Sequence, residues 1–295
     1  MKRSGIQVPR GTPRIPLRSI RATWDSLFRK SPYESDMESI VTAMSASHFT
    51  LLHPPIVEAV LDVDCDMSPA FDLAALEKTA REAFGDQYPK FRAQFLQEHQ
   101  IEQKAGQPMQ VSARRRLQAF QFLQEDEKQL VQVRTQGFSF NRLAPYTSLD
   151  DYLPEIERVW SLFASIIAPV QIRVVRLRYI NRILLPLING SLELEHYLKV
   201  GSRLPDEDHL RFASFLNQYA AVEVDTGHQV NIVLTSQPLE NDRVPIIFDI
   251  GVVSAETAAP ENWAWLLAKT QSLRHLKNRI FRNTLTEQCL NLFQH

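Results

Sequence analysis

Cysteine, glycine and long apolar runs are scarce in this 295-residue chain, and each scarcity excludes a class of protein. Only Cys65 and Cys289 are present, so no disulfide framework and no four-thiolate zinc site can form, which fits a reducing cytoplasm. No apolar run approaches the ~20 residues that span a bilayer. Arginines occupy the place where a secretory signal needs a continuous apolar segment. We therefore expect a soluble, cytoplasmic protein with no membrane partner.

The motifs of common cofactor and metal sites are missing as well. The sequence contains nine glycines and no G-x-G-x-x-G or G-x-x-x-x-G-K-[S/T] phosphate loop. The eight histidines show no H-x-H or H-E-x-x-H spacing. Glu193 and His196 form a single Glu-x-x-His pair, which a solvated helix face explains better than a di-iron site. We predict no cofactor, no metal and no catalytic residue, although spatially assembled triads stay open.

Charge is distributed unevenly along the chain. The net charge is −1, yet the first thirty residues carry eight cations against the single acid Asp25, which makes that segment +7 and the remainder about −8. The eight cations are Lys2, Arg3, Arg10, Arg14, Arg18, Arg21, Arg29 and Lys30. Residues 1–50 also contain several prolines and no sustained apolar period, which predicts a basic, flexible leader. A start at Met37 or Met44 is an alternative interpretation of this segment.

Hydrophobic periodicity after the leader predicts an α+β protein with two similar halves, residues 54–168 and 169–295. Each half reads β-α-β-β-β-α. The predicted elements of the first half are Ile56–Asp64, Leu73–Phe84, Phe91–Gln103, Leu117–Gln124, Leu130–Arg134 and the helix Leu149–Ile167. Those of the second half are Gln171–Leu185, Leu192–Leu198, Leu210–Val224, Gln229–Thr235, Pro245–Val253 and a helix from Asn262 to Phe293. Antiparallel sheets backed by long helices would give a helix-grip or saddle-like fold.

Two Asn-Arg segments at strand ends are the best candidates for a ligand-binding site. The candidate residues are Asn141, Arg142, Tyr146, Arg178, Asn181 and Arg182. Arginine binds carboxylate or phosphate with two parallel hydrogen bonds, and asparagine both donates and accepts. The competing and favoured interpretation is structural, with each asparagine closing a strand end or a turn. Each arginine would then stack on a neighbouring aromatic ring or pair with an acid such as Asp150, Asp151 or Glu155.

Several separated motifs resemble a sporadically distributed bacterial family of uncharacterised proteins. These motifs are Pro-Pro-Ile-Val-Glu-Ala-Val at 54–60, Phe-Ser-Phe-Asn-Arg-Leu-Ala-Pro-Tyr at 138–146 and Arg-Tyr-Ile-Asn-Arg-Ile at 178–183, with a closing helix around residues 280–286. The resemblance covers about residues 54–293 and brings no activity, cofactor or catalytic residue. The patchy distribution of the family implies an accessory role, such as one in defence or mobile-element biology.

One basic cluster, Arg114, Arg115 and Arg116, lies inside the folded body and begins a predicted strand. A basic turn there could contact nucleic acid, but charges that protect a solvated edge from unwanted pairing are the commoner explanation.

Three function classes follow. We favour a non-catalytic binding or regulatory module that holds a protein partner or a small anionic ligand near the seam of the two halves. The alternative is nucleic-acid binding through a curved sheet, Arg114–Arg116 and the basic leader. The third class is an enzyme that acts on a small anionic substrate, with Arg142 or Arg182 as an electrostatic clamp. Exposed sheet edges also allow a homo-oligomer.

Overall fold

A computed structural model describes residues 51–102, 110–188, 190–201, 205–206, 209–210 and 213–294. The predicted leader, residues 1–50, lies outside the described residues. The strands are β1 (Ile56–Asp66), β2 (Lys90–Glu102), β3 (Gln110–Leu123), β4 (Gln129–Arg134), β5 (Gly137–Leu143), β6 (Gln171–Pro186), β7 (Leu216–Val222), β8 (Gln229–Ser236) and β9 (Arg243–Ser254). The α-helices of the described residues are α1 (Glu77–Phe84), α2 (Leu149–Ile167), α3 (Trp263–Thr284) and α4 (Glu287–Asn291).

Helix α2 shows how local sequence sets an element. Ser148 caps its first turn, since the side-chain oxygen accepts from the backbone N–H of Asp150 at 3.3 Å. Apolar residues recur on one stripe, which the core buries. The helix ends at Ala168, which adopts a left-handed conformation with φ 46°, and Pro169 follows. The helix predicted over Leu149–Ile167 is therefore confirmed.

The nine strands found in the described residues form one antiparallel sheet in the order β2-β3-β4-β5-β1-β6-β9-β8-β7. The predicted α+β class with antiparallel strands is thus confirmed. Strand β1 pairs with β5 so that Val60 lies opposite Asn141 and Asp62 lies opposite Ser139. Strand β4 lies on the other side of β5, where Gln132 is also opposite Ser139. Because cross-strand partners share a face, these registers decide which side chains of β5 meet.

Contacts along the chain define two compact units, and each has its own core. The larger unit contains Ile56–Tyr179 and Gly251–Leu276, and the smaller contains Ile180–Ile250 with the described residues 51–55 and 277–294. In the larger unit, the ring centroid of Phe138 lies 5.7 Å from that of Trp160 and 5.5 Å from that of Phe163. In the smaller unit, Phe248 and Phe281 stack at 5.7 Å. The halves 54–168 and 169–295 have different bounds and stay a prediction.

The order β-α-β-β-β-α needs correction in both predicted halves. Phe138–Leu143 is part of β5, so four strands separate α1 from α2, because a tight turn at Thr135–Gln136 starts a new strand at Gly137. The helix predicted over Leu192–Leu198 is only a 3₁₀ turn at Leu194–His196. The strand predicted from Leu210 begins at Leu216.

The predicted terminal helix is interrupted between α3 and α4. The backbone N–H of Thr286 bonds to the carbonyl of Tyr197 at 3.0 Å, and the N–H of Lys199 bonds to the carbonyl of Thr284 at 2.8 Å. Thr286 then caps α4, since its side-chain oxygen accepts from the N–H of Cys289 at 3.2 Å. Backbone pairing with residues 197–199 therefore interrupts the helix at Leu285 and Thr286.

Gly137 and Gly227 offer a matched test of this packing, since both have positive φ, at 148° and 71°. A Cβ added at Gly137 would collide with the carbonyl oxygen of Val63, whereas one at Gly227 would meet nothing within 4 Å. We expect Gly227→Ala to lower the free energy of unfolding by about 1–2 kcal/mol, the cost of the left-handed backbone alone. Gly137→Ala should cost clearly more, because strands β1 and β5 must also move apart. Denaturant unfolding measures both, and equal losses would contradict the close approach.

Candidate functional site

Asn141 and Arg142 are adjacent on β5 but point to opposite faces of the sheet. Successive residues of a strand alternate between faces. Asn141 is fully buried on the face that carries Ser139, and Arg142 is half-buried with its guanidinium 5.2 Å from the ring centroid of Tyr152 on α2. The Asn141 amide and the Arg142 guanidinium therefore face different surroundings, and a ligand-binding role for either residue stays a prediction.

Asn141 belongs to a chain of side-chain hydrogen bonds that crosses five strands. Gln121 donates to Gln94 at 3.2 Å and to Gln132 at 3.0 Å. Gln132 donates to the side-chain oxygen of Asn141 at 3.0 Å, and Asn141 donates to Glu58 at 2.8 Å. We call these five residues the amide network. Asn141 thus uses both its amide donor and its amide acceptor within the fold, and its role in ligand binding stays a prediction.

Charged residues on the same strands neutralise one another. Asp64 accepts from Arg134 at 2.8 Å and pairs with Arg176 at 2.5 Å. Ser139 donates a short hydrogen bond to Asp62. Burial alone would lower the pKa of Arg134, but Asp62 and Asp64 outweigh that effect and raise it. These ion pairs leave little net charge for a ligand on this face.

Arg142, in contrast, has no acidic partner among the described residues. Within the described residues, its one hydrogen bond is long, 3.4 Å from Nη2 to the carbonyl oxygen of Pro145, and its Nε is buried without a partner there. Two of the three acids expected to pair with it have other partners. Asp150 accepts from Arg274 at 2.7 Å, and Glu155 accepts from Arg158 at 2.7 and 2.8 Å.

Two buried tyrosines complete the surroundings of Arg142. The hydroxyls of Tyr146 and Tyr179 lie 2.9 Å apart, and their rings meet edge to face at 5.6 Å. Burial raises the pKa of Tyr179 to about 12, and burial also raises the pKa of Tyr146. Both hydroxyls therefore stay protonated at neutral pH and act only through hydrogen bonds. Together with Tyr152 and Arg142, they line a void of about 10 Å³, which is room for roughly one water molecule.

The second Asn-Arg segment is also held by structural contacts. In the smaller unit, buried Asn181 donates to the carbonyl oxygen of Phe248 at 2.9 Å. Arg182 donates to Gln237 at 3.2 Å and to Glu240 at 2.6 Å. Arg178 is buried in the larger unit. A site shared by the two segments stays a prediction.

The basic cluster lies within β3, and not at the start of a strand as expected. Arg115 and Arg116 are opposite Gln97 and Leu96 of β2. Both arginines are exposed, and the guanidinium of Arg115 lies 3.8 Å from the ring centroid of Phe95. Arg114 occupies the strand position opposite Glu98, and its side chain is outside the described part. Alternation places Arg115 on the other face from its two neighbours.

Sequence reasoning missed Tyr152, Tyr179 and the partners of Asn141 in the amide network. Tyr179 belongs to the Arg-Tyr-Ile-Asn-Arg-Ile segment at 178–183. Because it directly follows Arg178, strand alternation would place these two side chains on opposite faces of the sheet. No local signal in the sequence pairs Gln94, Gln121 and Gln132, because they belong to three strands whose register only the fold determines.

Comparison with known protein families gives no match for this chain, and comparison with curated proteins gives no significant relative. The resemblance to the bacterial family therefore stays a prediction. In the described part of the chain, no cluster of three or more His, Cys, Asp or Glu residues could hold a metal ion. The helices described here are all too short or too polar to cross a bilayer.

Asn141→Leu tests the amide network. The substitution removes the acceptor of Gln132 in a buried position, so we expect the free energy of unfolding to fall by about 2–3 kcal/mol. Gln94→Leu, at the exposed end of the same network, should cost less than about 0.5 kcal/mol. Urea unfolding of both variants checks the difference. A loss at Asn141 no larger than that at Gln94 would mean that the network contributes little to stability.

Proposed function

We propose that this protein is a non-catalytic binding module that recognises a carboxylate-bearing partner through Arg142. The observation that supports the proposal is the uncompensated guanidinium on the α2 side of β5. Other described arginines do have carboxylate partners: Arg81, Arg92, Arg134, Arg158, Arg173, Arg176, Arg182, Arg274 and Arg279. A half-buried cation without an anion loses hydration and gains no ion pair in return.

The surroundings of Arg142 hold the guanidinium ready for an anion. The ring of Tyr152 lies against it, and cation–π contact limits the positions that the side chain can take. Arginine that is already ordered loses less conformational entropy when a carboxylate binds with two hydrogen bonds. Binding at this position would therefore gain from preorganisation.

The void beside Arg142 is small, and its size limits which ligands could reach the guanidinium. Room for about one water molecule does not admit a metabolite between β5 and α2. The anion would have to approach Arg142 from outside, as an acidic side chain or chain terminus of a partner protein does, or a small carboxylate at the surface. This consideration favours a protein partner over an enclosed small molecule.

An enzyme that acts on a small anionic substrate receives less support. The titratable groups that line the void with Arg142 are Tyr146, Tyr152 and Tyr179. The raised pKa values of Tyr146 and Tyr179 make both hydroxyls poor general bases at neutral pH. This set of groups suits recognition better than proton transfer.

Two broader proposals accompany the binding role. We infer a duplicated helix-grip plan, supported by the strand order outward from the first strand of each half, β1-β5-β4-β3-β2 and β6-β9-β8-β7. An experimental structure in which β1–α2 and β6–α3 fail to superpose would contradict it. The family resemblance supports an accessory role in a bacterium, and deletion of the gene without any effect on phage or plasmid maintenance would count against a defence function.

Arg142→Leu and Arg182→Leu form the matched pair that tests the carboxylate site. We expect Arg142→Leu to reduce binding of a glutamate-rich peptide at least ~10-fold, the effect of losing about 1.4 kcal/mol of binding free energy. Arg182→Leu should keep that affinity, since Arg182 already pairs with Glu240. Isothermal titration of the full chain measures both, with citrate as the small-carboxylate probe.

Stability of the same variants provides the control. Arg142→Leu removes no ion pair and should leave the free energy of unfolding nearly unchanged, whereas Arg182→Leu loses a partly exposed pair worth up to about 1 kcal/mol. Equal affinity of wild type and Arg142→Leu for every carboxylate probe would refute the proposed site.

Nucleic-acid binding is the second candidate, and the β2–β3 ribbon is the observation that favours it. Strand β3 pairs with β2 from Gln110 to Leu123 but with β4 only from Ala119 to Leu123. Residues 110–118 of β3 therefore pair with β2 and not with β4. On that part, Arg115 stacks on Phe95 and Arg116 is exposed. Exposed arginine beside an aromatic ring suits phosphate contact and base stacking.

The salt dependence of oligonucleotide affinity tests whether the β2–β3 ribbon binds nucleic acid. Each arginine that contacts a phosphate adds about 0.7–0.9 to the slope of log affinity against log salt. The double variant Arg115→Ala with Arg116→Ala should therefore lower that slope by about 1.4–1.8 and weaken binding to a labelled oligonucleotide. Arg92→Ala is the control, since Arg92, on β2, already pairs with Glu127 of the turn between β3 and β4. Absence of oligonucleotide binding by the wild type at low salt would remove this candidate.

A further inference from the structure

Strand β7 forms the outer edge of the sheet in the smaller unit and is open to solvent. It is the last strand in the sheet order and pairs with β8 on one side. Its sequence, Leu-Asn-Gln-Tyr-Ala-Ala-Val, contains no charge and no proline, and every residue except Asn217 is exposed. Leu216 and Val222 retain 62% and 63% of their accessible surface. Such an edge is a template for pairing with another strand.

The opposite edge of the sheet, strand β2, has the protection that β7 lacks. Its residues include Lys90, Arg92, Glu98 and Glu102, and its pairing shifts at a bulge between Gln94 and Phe95. Charges and bulges discourage a further strand. The pairing of β7 with β8 is continuous from Leu216–Thr235 to Val222–Gln229. A smooth uncharged edge without such protection is consistent with a partner that covers it.

The hydrogen bonds at both ends of β7 show which backbone groups point outward. The N–H of Ser236 bonds to the carbonyl of Phe215, and the N–H of Glu223 bonds to the carbonyl of His228. Odd-numbered residues of β7 thus point their backbone groups at β8. In an antiparallel pair the alternate residues point the other way. The even-numbered residues Leu216, Gln218, Ala220 and Val222 therefore present one N–H and one carbonyl each to the outside.

We propose that β7 pairs with β7 of a second copy of this chain, antiparallel and centred on Tyr219. This register puts Leu216 opposite Val222 and Gln218 opposite Ala220 of the other copy. All four outward-pointing residues then fall in hydrogen-bonded pairs, so eight backbone hydrogen bonds form across the two-fold axis. A register shifted by one residue would place outward groups opposite inward ones and lose these bonds.

Self-complementarity is the reason to choose a second copy as the occupant. The strand is uncharged, so no like charges face each other across the two-fold axis. The largest exposed apolar side chains, Leu216 and Val222, pack against each other, and Tyr219 meets its own equivalent. Pairing of one seven-residue edge covers little surface, so we expect a dimer that dissociates on dilution.

Two proline substitutions, one residue apart, test the outward edge. The N–H of Ala220 points outward, so Ala220→Pro removes two of the eight bonds between copies, one from each chain, and keeps the pairing with β8. Ala221→Pro removes an N–H that pairs with β8 and should lower the melting temperature. Sedimentation velocity of the full chain should show a concentration-dependent dimer for the wild type and a folded monomer for Ala220→Pro.

Cysteine cross-linking tests the register itself. Tyr219 lies on the axis, where the two Cα atoms of such a pair are about 4.5 Å apart, so Tyr219→Cys should give a covalent dimer on oxidation. Ala221→Cys is the control on the same face, since its two copies would lie about 13 Å apart at 3.3 Å per residue. The native Cys65 and Cys289 are buried and should not compete.

The results separate the outcomes clearly. A wild-type dimer that Ala220→Pro dissociates, with cross-linking at 219 and not at 221, supports the proposal. A wild-type monomer at all concentrations reached in the centrifuge, a dimer that survives Ala220→Pro, or cross-linking at 221 as strong as at 219 would each overturn it.

Discussion

The two-residue period of β5 is the constraint on which the larger unit depends. Phe138 and Phe140 point toward α2, where Phe138 packs on Trp160 and Phe163, while Ser139 and Asn141 point to the other face. A strand that buries residues on both faces must satisfy every polar group it places there, because a buried amide without a partner costs about 1–3 kcal/mol. The amide network and the ion pairs of Asp64 meet that requirement on the face of Asn141.

The polar groups on the Asn141 face of β5 already have hydrogen-bond or ion-pair partners. This explains why the candidate for ligand binding is Arg142, on the opposite face. The amide donor and the amide acceptor of Asn141 both form hydrogen bonds within the amide network. Arg134 and Arg176 both pair with Asp64. Arg142 lies next to Asn141 on β5, but its side chain faces aromatic rings. These rings allow a cation–π contact and supply no anion. The alternation that completes the polar face therefore leaves one guanidinium without a counterion.

Elements with a strong local signal could be predicted from the sequence. The helix Leu149–Ile167 is predicted to the residue, and β6 and β8 differ from their predictions by one residue, because caps, proline and apolar period agree there. The errors lie where tertiary contacts decide. The break before Thr286 depends on backbone pairing with Tyr197, and the short turn at Thr135–Gln136 conceals the start of β5.

The candidate site could be predicted in part. Arg142 and Tyr146 stood out because aromatic, asparagine and arginine residues cluster near a proline, but their partners come from α2 and β6, which no spacing along β5 indicates. Arg182 resembles Arg142 in its local sequence, yet Glu240 neutralises it from a segment 58 residues later. Similar motifs thus acquire different roles from contacts distant in sequence.

Unmet hydrogen-bonding capacity connects the two proposals for this molecule. In the larger unit it belongs to the Arg142 guanidinium, and in the smaller unit to the outward backbone groups of β7. The first set consists of guanidinium N–H donors, and the second consists of backbone N–H donors and carbonyl acceptors. Buried groups with raised pKa values, such as Tyr179, keep their protons. Groups of this kind gain free energy when another surface supplies their missing partners, and that is the physical basis of a binding module.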